Sequence, residues 1–424
     1  MRIAIIGTGI AGNVAAWKLR DRHEITVYEA AGYVGGHTNT IDVEENGKTL
    51  GVDTGFIVFN EHTYPNFIQM LDEIGQPSKP SNMSFSVHSE DGRIEYNSSS
   101  LNGIFAQRRN LVRPAYYRML RDILRFFRDA VSDVQRYGRQ LTVGEYLRSR
   151  GYGKEFTDDY LVPMAAAIWS AEPVAVLDMP ALFLVRFFKN HGLLQLQDRP
   201  EWRVIEGGSR EYVRRLVAGH RDRIRLDSPV QSVERTPQGV SVTTAEGGSE
   251  SYDYVFIACH SDQALAMLAD PTAEEEAVLG AIRYQPNQAV LHTDIGVLPK
   301  RRRAWSSWNY TVPVDRRDQV AVSYNMNILQ GLQAEQTYIV TLNDDRHIDP
   351  AHIIRRVEYQ HPVYTLDTIA AQQRQHEVNC DRTYYCGAYW RNGFHEDGVV
   401  SALNAVSHFE EKLERAELHL RRAS

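Results

Sequence analysis

"RIAIIGTGIAGNVAAWKLRDRHEITVYEA" (Arg2–Ala30) decides the fold. Ile3, Ile5 and Ile6 form a short β-branched run of the kind found in buried parallel strands. Gly7, Gly9 and Gly12 follow at once as G-x-G-x-x-G. In that pattern the first glycine makes the turn. The second lets backbone approach a pyrophosphate, and the third lets a helix pack on the strand. Ile10 and Ala11 then open a helix whose free N–H groups favour phosphate. "ITVYE" returns as a second strand ending on Glu29, placed to bind a ribose diol, with Ala30 behind it. Strand, turn, helix, strand and acid together predict a dinucleotide site.

Composition sets the frame around this unit. A chain of 424 residues predicts about two or three domains. Hydrophobic residues at 43% and charged residues at 24% are globular values, and a net charge of −7 argues against bulk nucleic-acid binding. Cys259, Cys380 and Cys386 make no disulfide framework and contain no C-x-x-C, as expected in a reducing compartment. The N-terminus lacks a basic, then apolar, leader, so a cytoplasmic location is expected. The apolar window Leu161–Phe188 is broken by Pro163, Pro173 and Pro180 and carries Glu172 and Asp178. It reads as buried helices rather than a membrane span.

After Glu29 the residues Val34-Gly35-Gly36-His37-Thr38 resemble the E-x-x-x-x-V-G-G-R-x-x-T pattern of FAD-dependent amine oxidases and phytoene-type desaturases. His37 stands where that family carries Arg, exchanging a guanidinium fork for an imidazole. Asp53, Gly55 and Phe56 resemble the family's D-x-G segment beside the flavin, and Val230 falls where a strand clamps the adenine. "GAYWRNGFHEDGVVSAL" (Gly387–Leu403) resembles its closing motif, with Gly387, Gly393, Phe394 and Gly398 matching glycines and an aromatic. The resemblance implies non-covalent FAD, with the Val399 amide near the flavin pyrimidine. Its fold would be α/β, with a Rossmann-like FAD-binding domain of the glutathione-reductase type and a discontinuous helical plus β-sheet substrate domain. The expected boundaries are 1–75, 200–270 and 360–424 for the first, and 76–199 and 271–359 for the second.

His395 and Glu396 are adjacent and no H-x-x-x-H occurs, so no metal site is expected. His395, Glu396 and Tyr310 are the candidates to accept or relay a proton. Phe394, Trp308 and Trp390 are the expected substrate-lining aromatics. "FAQRRNLVRPAYYRMLRDILRFFR" (Phe105–Arg128) is a basic amphipathic stretch and "PKRRRAW" (Pro299–Trp305) a second basic cluster. Both suggest peripheral contact with an anionic membrane, here the inner surface. "FHEDG", "GFIVFN" and "WNY" resemble a bacterial subgroup that accompanies cyclopropane-fatty-acid-synthase-like enzymes. That resemblance implies an FAD-dependent oxidoreductase dehydrogenating a lipid-like or fatty-acyl substrate by hydride transfer to flavin N5. The alternatives are an amine oxidase acting on a hydrophobic amine, and a non-catalytic flavin- or lipid-binding partner.

Overall fold

The structure, a computed structural model, describes residues 1–137, 141–314, 321–379 and 381–423. Cys380 lies outside the described residues, and Cys259 and Cys386 are free thiols. The opening strand Arg2–Ile6 is central in a five-stranded parallel sheet. The order across it is Ile224–Arg225, Glu24–Tyr28, Arg2–Ile6, Tyr254–Ile257, Thr383–Tyr385. Ile3, Ala4 and Ile5 are fully buried, as the apolar run requires of a strand covered on both faces. Helix Ile10–Leu19 covers one face, buried through Ala11, Val14, Ala15 and Leu19. A three-stranded meander follows as Val230–Arg235, Val240–Thr244 and Ser249–Tyr252, paired antiparallel.

A second, seven-stranded sheet forms the other domain, from Phe85–Ser89 and Glu95–Asn97 together with strands between Tyr284 and Pro362. Helices of the segment 101–190 lie against it. The fold is thus a Rossmann-like FAD-binding region with a discontinuous helical and β-sheet substrate domain. The Leu161–Phe188 window is buried in short helices. Pro163 sits in the first turn of Val162–Trp169, Pro173 begins Pro173–Asp178, and Pro180 caps Ala181–Asn190. No helix among the described residues is long and apolar enough to cross a membrane.

Candidate active site

A cavity of about 940 Å³ runs from the glycine turn into the substrate domain. At its glycine end the two close-approach positions differ. A Cβ on Gly12 would lie 2.0 Å from the carbonyl oxygen of Gly7, so Gly12 holds helix to strand. A Cβ on Gly9 would meet nothing within 4 Å. It would project instead into the space lined by Gly7, Gly9, Gly35 and Gly36. Gly36 (φ +58°) turns back so that its own Cβ position is 3.1 Å from Gly9 Cα. Glu29 lines the same end, its carboxylate held by the Thr8 amide at 2.9 Å, the Ala31 amide at 2.8 Å and the Thr8 hydroxyl. Ala30, Val230 and Cys259 complete this wall. A glycine cradle at a helix N-terminus with a fixed carboxylate beyond it fits the pyrophosphate and ribose of FAD.

The C-terminal stretch closes the cavity from the other side. Strand Thr383–Tyr385 leads through Gly387, Ala388 and Tyr389 to helix His395–Ala423. Asp397 caps that helix, accepting from the Phe394 amide at 3.0 Å, and burial raises its carboxyl to about 6. Gly398 N–H already donates to Phe394 O. The helical ladder has therefore begun before Val399, and the open amides at this end are those of His395, Glu396 and Asp397. Gly398 is packed on Ile10, where a Cβ would lie 2.5 Å from the Ile10 side chain. Gly398 and Val399, expected beside the flavin, lie outside the lining of the cavity.

The proton-relay candidates are held elsewhere. His395 stacks on Phe56 at 3.5 Å, and its Nε2 lies 3.0 Å from the Thr38 hydroxyl and 2.9 Å from the Tyr212 hydroxyl. Burial depresses it to about 3, so it is neutral. It lines the cavity as a wall fixed by Thr38, while Thr38 itself faces Tyr212 and not the cavity. Glu396 lies outside the cavity lining. Its two oxygens accept from the Asn66 amide (3.2 Å), the Asn66 side chain (2.6 Å) and the Phe67 amide (2.9 Å). It caps helix Pro65–Glu73, whose own N-cap Tyr64 supplies no side-chain bond. Tyr310 and Trp390 are buried in the core and line no part of the cavity. Glu396, Tyr310 and Trp390 thus lie outside the lining, while His395 is part of it. Spacing cannot tell a side chain that faces a cavity from one that faces the packing behind it.

Phe394 and Trp308 do line the cavity. Phe394 stacks on Phe187 at 5.1 Å, and Phe187 stacks on His191 at 3.8 Å. Met83, Met164, Ile168 and Leu193 extend this apolar end. Among the described lining residues the only carboxylates are Glu29 and Glu201. Between the two ends stands a cluster of imidazoles. His37 stacks on Tyr359 (4.8 Å) and His361 (5.4 Å), with His260 at 6.2 Å. Burial and the neighbouring His361 hold His37 well below the ordinary histidine value. It therefore brings no positive charge to the phosphates, unlike the arginine it replaces.

The sequence profile of a family described as flavin containing amine oxidoreductase matches residues 10–293. The chain belongs to this family. Among curated relatives, "Putative flavin-containing monoamine oxidase AofH" of Mycobacterium tuberculosis is 26% identical over 328 residues, 72% of this chain. That match spans 65% of the relative's length, just under two-thirds. Among solved structures, cyclohexylamine oxidase from Brevibacterium oxydans superposes with a TM-score of 0.66 at 17% identity, covering 97% of this chain and 99% of that one. A fatty acid isomerase from P. acnes, described as producing CLA, gives 0.66 at 15% identity, covering 96% and 98%. Identities this low show the fold alone.

A flavin-containing amine oxidoreductase takes FAD as its cofactor, and the cradle accommodates it. Cys386 is fully buried outside the lining, and burial pushes its thiol up, so it offers no attachment point. Sequence reasoning missed Phe187, His191, Asn287, Tyr359 and His361, all of which line the cavity. Asn287 is buried with its Nδ2 about 3.3 Å from the His361 ring, and its Oδ1 has no partner. The available signal was strand alternation. Asn287 shares a strand face with buried Ala289 and Leu291, where a polar residue needs an explanation.

The buried imidazoles set the acid stability. His395 is depressed to about 3, and His88, His191, His220, His292 and His361 to about 4, all by burial. Unfolded histidine titrates near about 6.5. Their stabilising contribution is therefore complete above that pH and is lost as pH falls toward 4. Asp53 and Asp397, raised to about 6 by burial, act in the opposite sense between about 6 and 4 but are outnumbered. Urea unfolding is expected to give a stability lower at pH 5 than at pH 7 by on the order of several kcal/mol. Equal stability at both would overturn this assignment.

Proposed function

We propose that the protein is an FAD-dependent oxidase or dehydrogenase of a hydrophobic amine. FAD held in the cradle would supply the two-electron acceptor. The observation that carries the reading is the apolar chamber beyond Phe394, in which imidazoles are neutral and Glu201 is the one carboxylate on the side away from the ribose. Such surroundings disfavour an ammonium ion and favour the free amine. The free base is the form whose lone pair lets the neighbouring C–H leave as hydride. Asn287 Oδ1, buried and unpartnered, is the acceptor for an amine N–H. Phe394 and Phe187 form the aromatic wall that orients the apolar part. Family membership and the relative named as a monoamine oxidase weigh the same way.

A second reading, desaturation of a fatty-acyl chain, is favoured by one feature. Met83, Met164, Ile168 and Leu193 give the chamber an unbroken apolar end suited to a hydrocarbon tail. This is the lipid-like substrate, in the subgroup beside cyclopropane-fatty-acid-synthase-like enzymes, that the sequence motifs suggested. Anaerobic titration separates the two. Bleaching of the flavin band near about 450 nm is expected with alkyl and cycloalkyl amines. Each added methylene should raise kcat/KM about fourfold until the chamber fills. Bleaching by methyl-branched acyl lipids and not by amines would establish the second reading. Bound flavin that neither class reduces would overturn both and leave the non-catalytic partner.

A further inference from the structure

We infer that the turn Arg108–Val112, together with helix Leu101–Ile104 and the turn Arg302–Ala304, forms a docking surface for an anionic lipid bilayer. The sequence contains two basic clusters almost two hundred residues apart, and the fold brings them together. Helix Leu101–Ile104 packs on the turn Arg302–Ala304. Arg108 bonds Phe105 O at 2.9 Å and also reaches Asn102, which joins the helix to the first basic turn. From this joined surface Leu101 (77% exposed), Leu111 and Val112 (84% exposed) protrude, with Tyr117 beside them. Two apolar side chains standing mostly in water, with Leu111 and Tyr117 half exposed beside them, need a reason on one surface.

The charges around them are mostly basic. Arg108 and Arg109 are exposed and donate to Phe105 O, Asn102 and the Gly92 and Arg93 carbonyls. Asp91 faces Arg93 and Arg109, and Glu95 is taken by Arg301. Exposed Lys300, Arg302 and Arg303 add to the positive side, against a chain whose net charge is −7. Helix Pro114–Tyr137, which periodicity alone makes the membrane element, has four of its arginines engaged with three acids. Arg118 pairs with Glu155, Arg121 and Arg125 with Asp122, and Arg128 with Asp129. The basic helix is therefore a salt-bridged helix, and the docking element is the apolar knuckle before it. Apolar tips inside a basic ring match an interface of hydrocarbon beneath anionic headgroups. Ser98, three residues before Leu101, lines the cavity, so the surface adjoins the chamber.

The test is co-sedimentation of the full-length protein with vesicles of equal parts phosphatidylglycerol and phosphatidylcholine, against phosphatidylcholine alone. Binding is expected to the anionic vesicles and to weaken with salt. Arg108→Gln/Arg109→Gln/Arg302→Gln should weaken it about a hundredfold, and Leu101→Ser/Leu111→Ser/Val112→Ser at least tenfold. Arg118→Gln/Arg121→Gln should change it less than about twofold, because these charges are already paired. Flavin content and melting temperature verify that each variant folds. The inference is overturned if wild type sediments equally with both vesicles or with neither. It is also overturned if the paired-arginine variant loses binding as the knuckle variant does, or if the Leu101/Leu111/Val112 variant dissociates a dimer without altering vesicle binding.

Discussion

Gly9→Val is expected to yield a folded protein that purifies without flavin. The Gly9 backbone is ordinary (φ −61°, ψ 176°), so valine adopts it without strain. A Cβ there meets no protein atom within 4 Å, so the apo fold has room for it. The branched side chain instead fills the cradle between Gly9 and Gly36, where a pyrophosphate must come against bare backbone. Overpacking of about 1–3 kcal/mol corresponds to roughly a tenfold to hundredfold loss of affinity. The checks are the flavin-to-protein absorbance ratio and the circular dichroism of the same sample. Gly12→Val is the internal contrast. Its Cβ would sit 2.0 Å from Gly7 O, so this variant is expected to lose the fold itself. Full flavin content in a folded Gly9→Val protein would remove the cradle from the site.

Glu396→Ala is the second large effect, and it separates structure from chemistry. Glu396 is buried and accepts three hydrogen bonds from the start of helix Pro65–Glu73. Removing it leaves the Asn66 and Phe67 amides without a partner at a helix end whose own cap residue supplies none. The cost is about 3 kcal/mol, read as a lower urea midpoint. Phe67 packs on Phe56, Phe59 and Tyr212, so the damage reaches the Phe56–His395 wall of the cavity. Glu396→Gln should recover part of the stability, since its amide oxygen still accepts. A large loss of kcat with unchanged stability would instead return Glu396 to acid/base chemistry.

The architecture was legible because the Arg2–Ala30 stretch satisfies several constraints at once. An apolar strand, three spaced glycines and a terminal acid admit few arrangements, and the structure holds Glu29 against Thr8 as that pattern requires. Phe394 was legible for a similar reason, since glycines bracket it. The orientation of Glu396 and Tyr310 was not legible, because a polar side chain looks the same in sequence whether it faces a cavity, caps a helix or packs in a core. Phe187 and His361 were invisible, because each joins the cavity lining only through strands and helices distant in sequence. The basic helix shows the same limit. Its arginines and the acids Asp122 and Asp129 are evident in sequence, but the pairing of Arg118 with Glu155 is evident only in three dimensions.

Gly398 packed on Ile10 has a consequence for the order of events during synthesis. The glycine cradle leaves the ribosome well before the wall that closes it, which begins at Thr383. Until Thr383–Tyr385 has joined the edge of the parallel sheet, the opening strand has its neighbours on only one side complete. An N-terminal fragment therefore carries the recognition pattern for FAD without the means to retain it. Cofactor capture therefore needs both segments, and the contact of Gly398 with Ile10 makes flavin retention a report on their association.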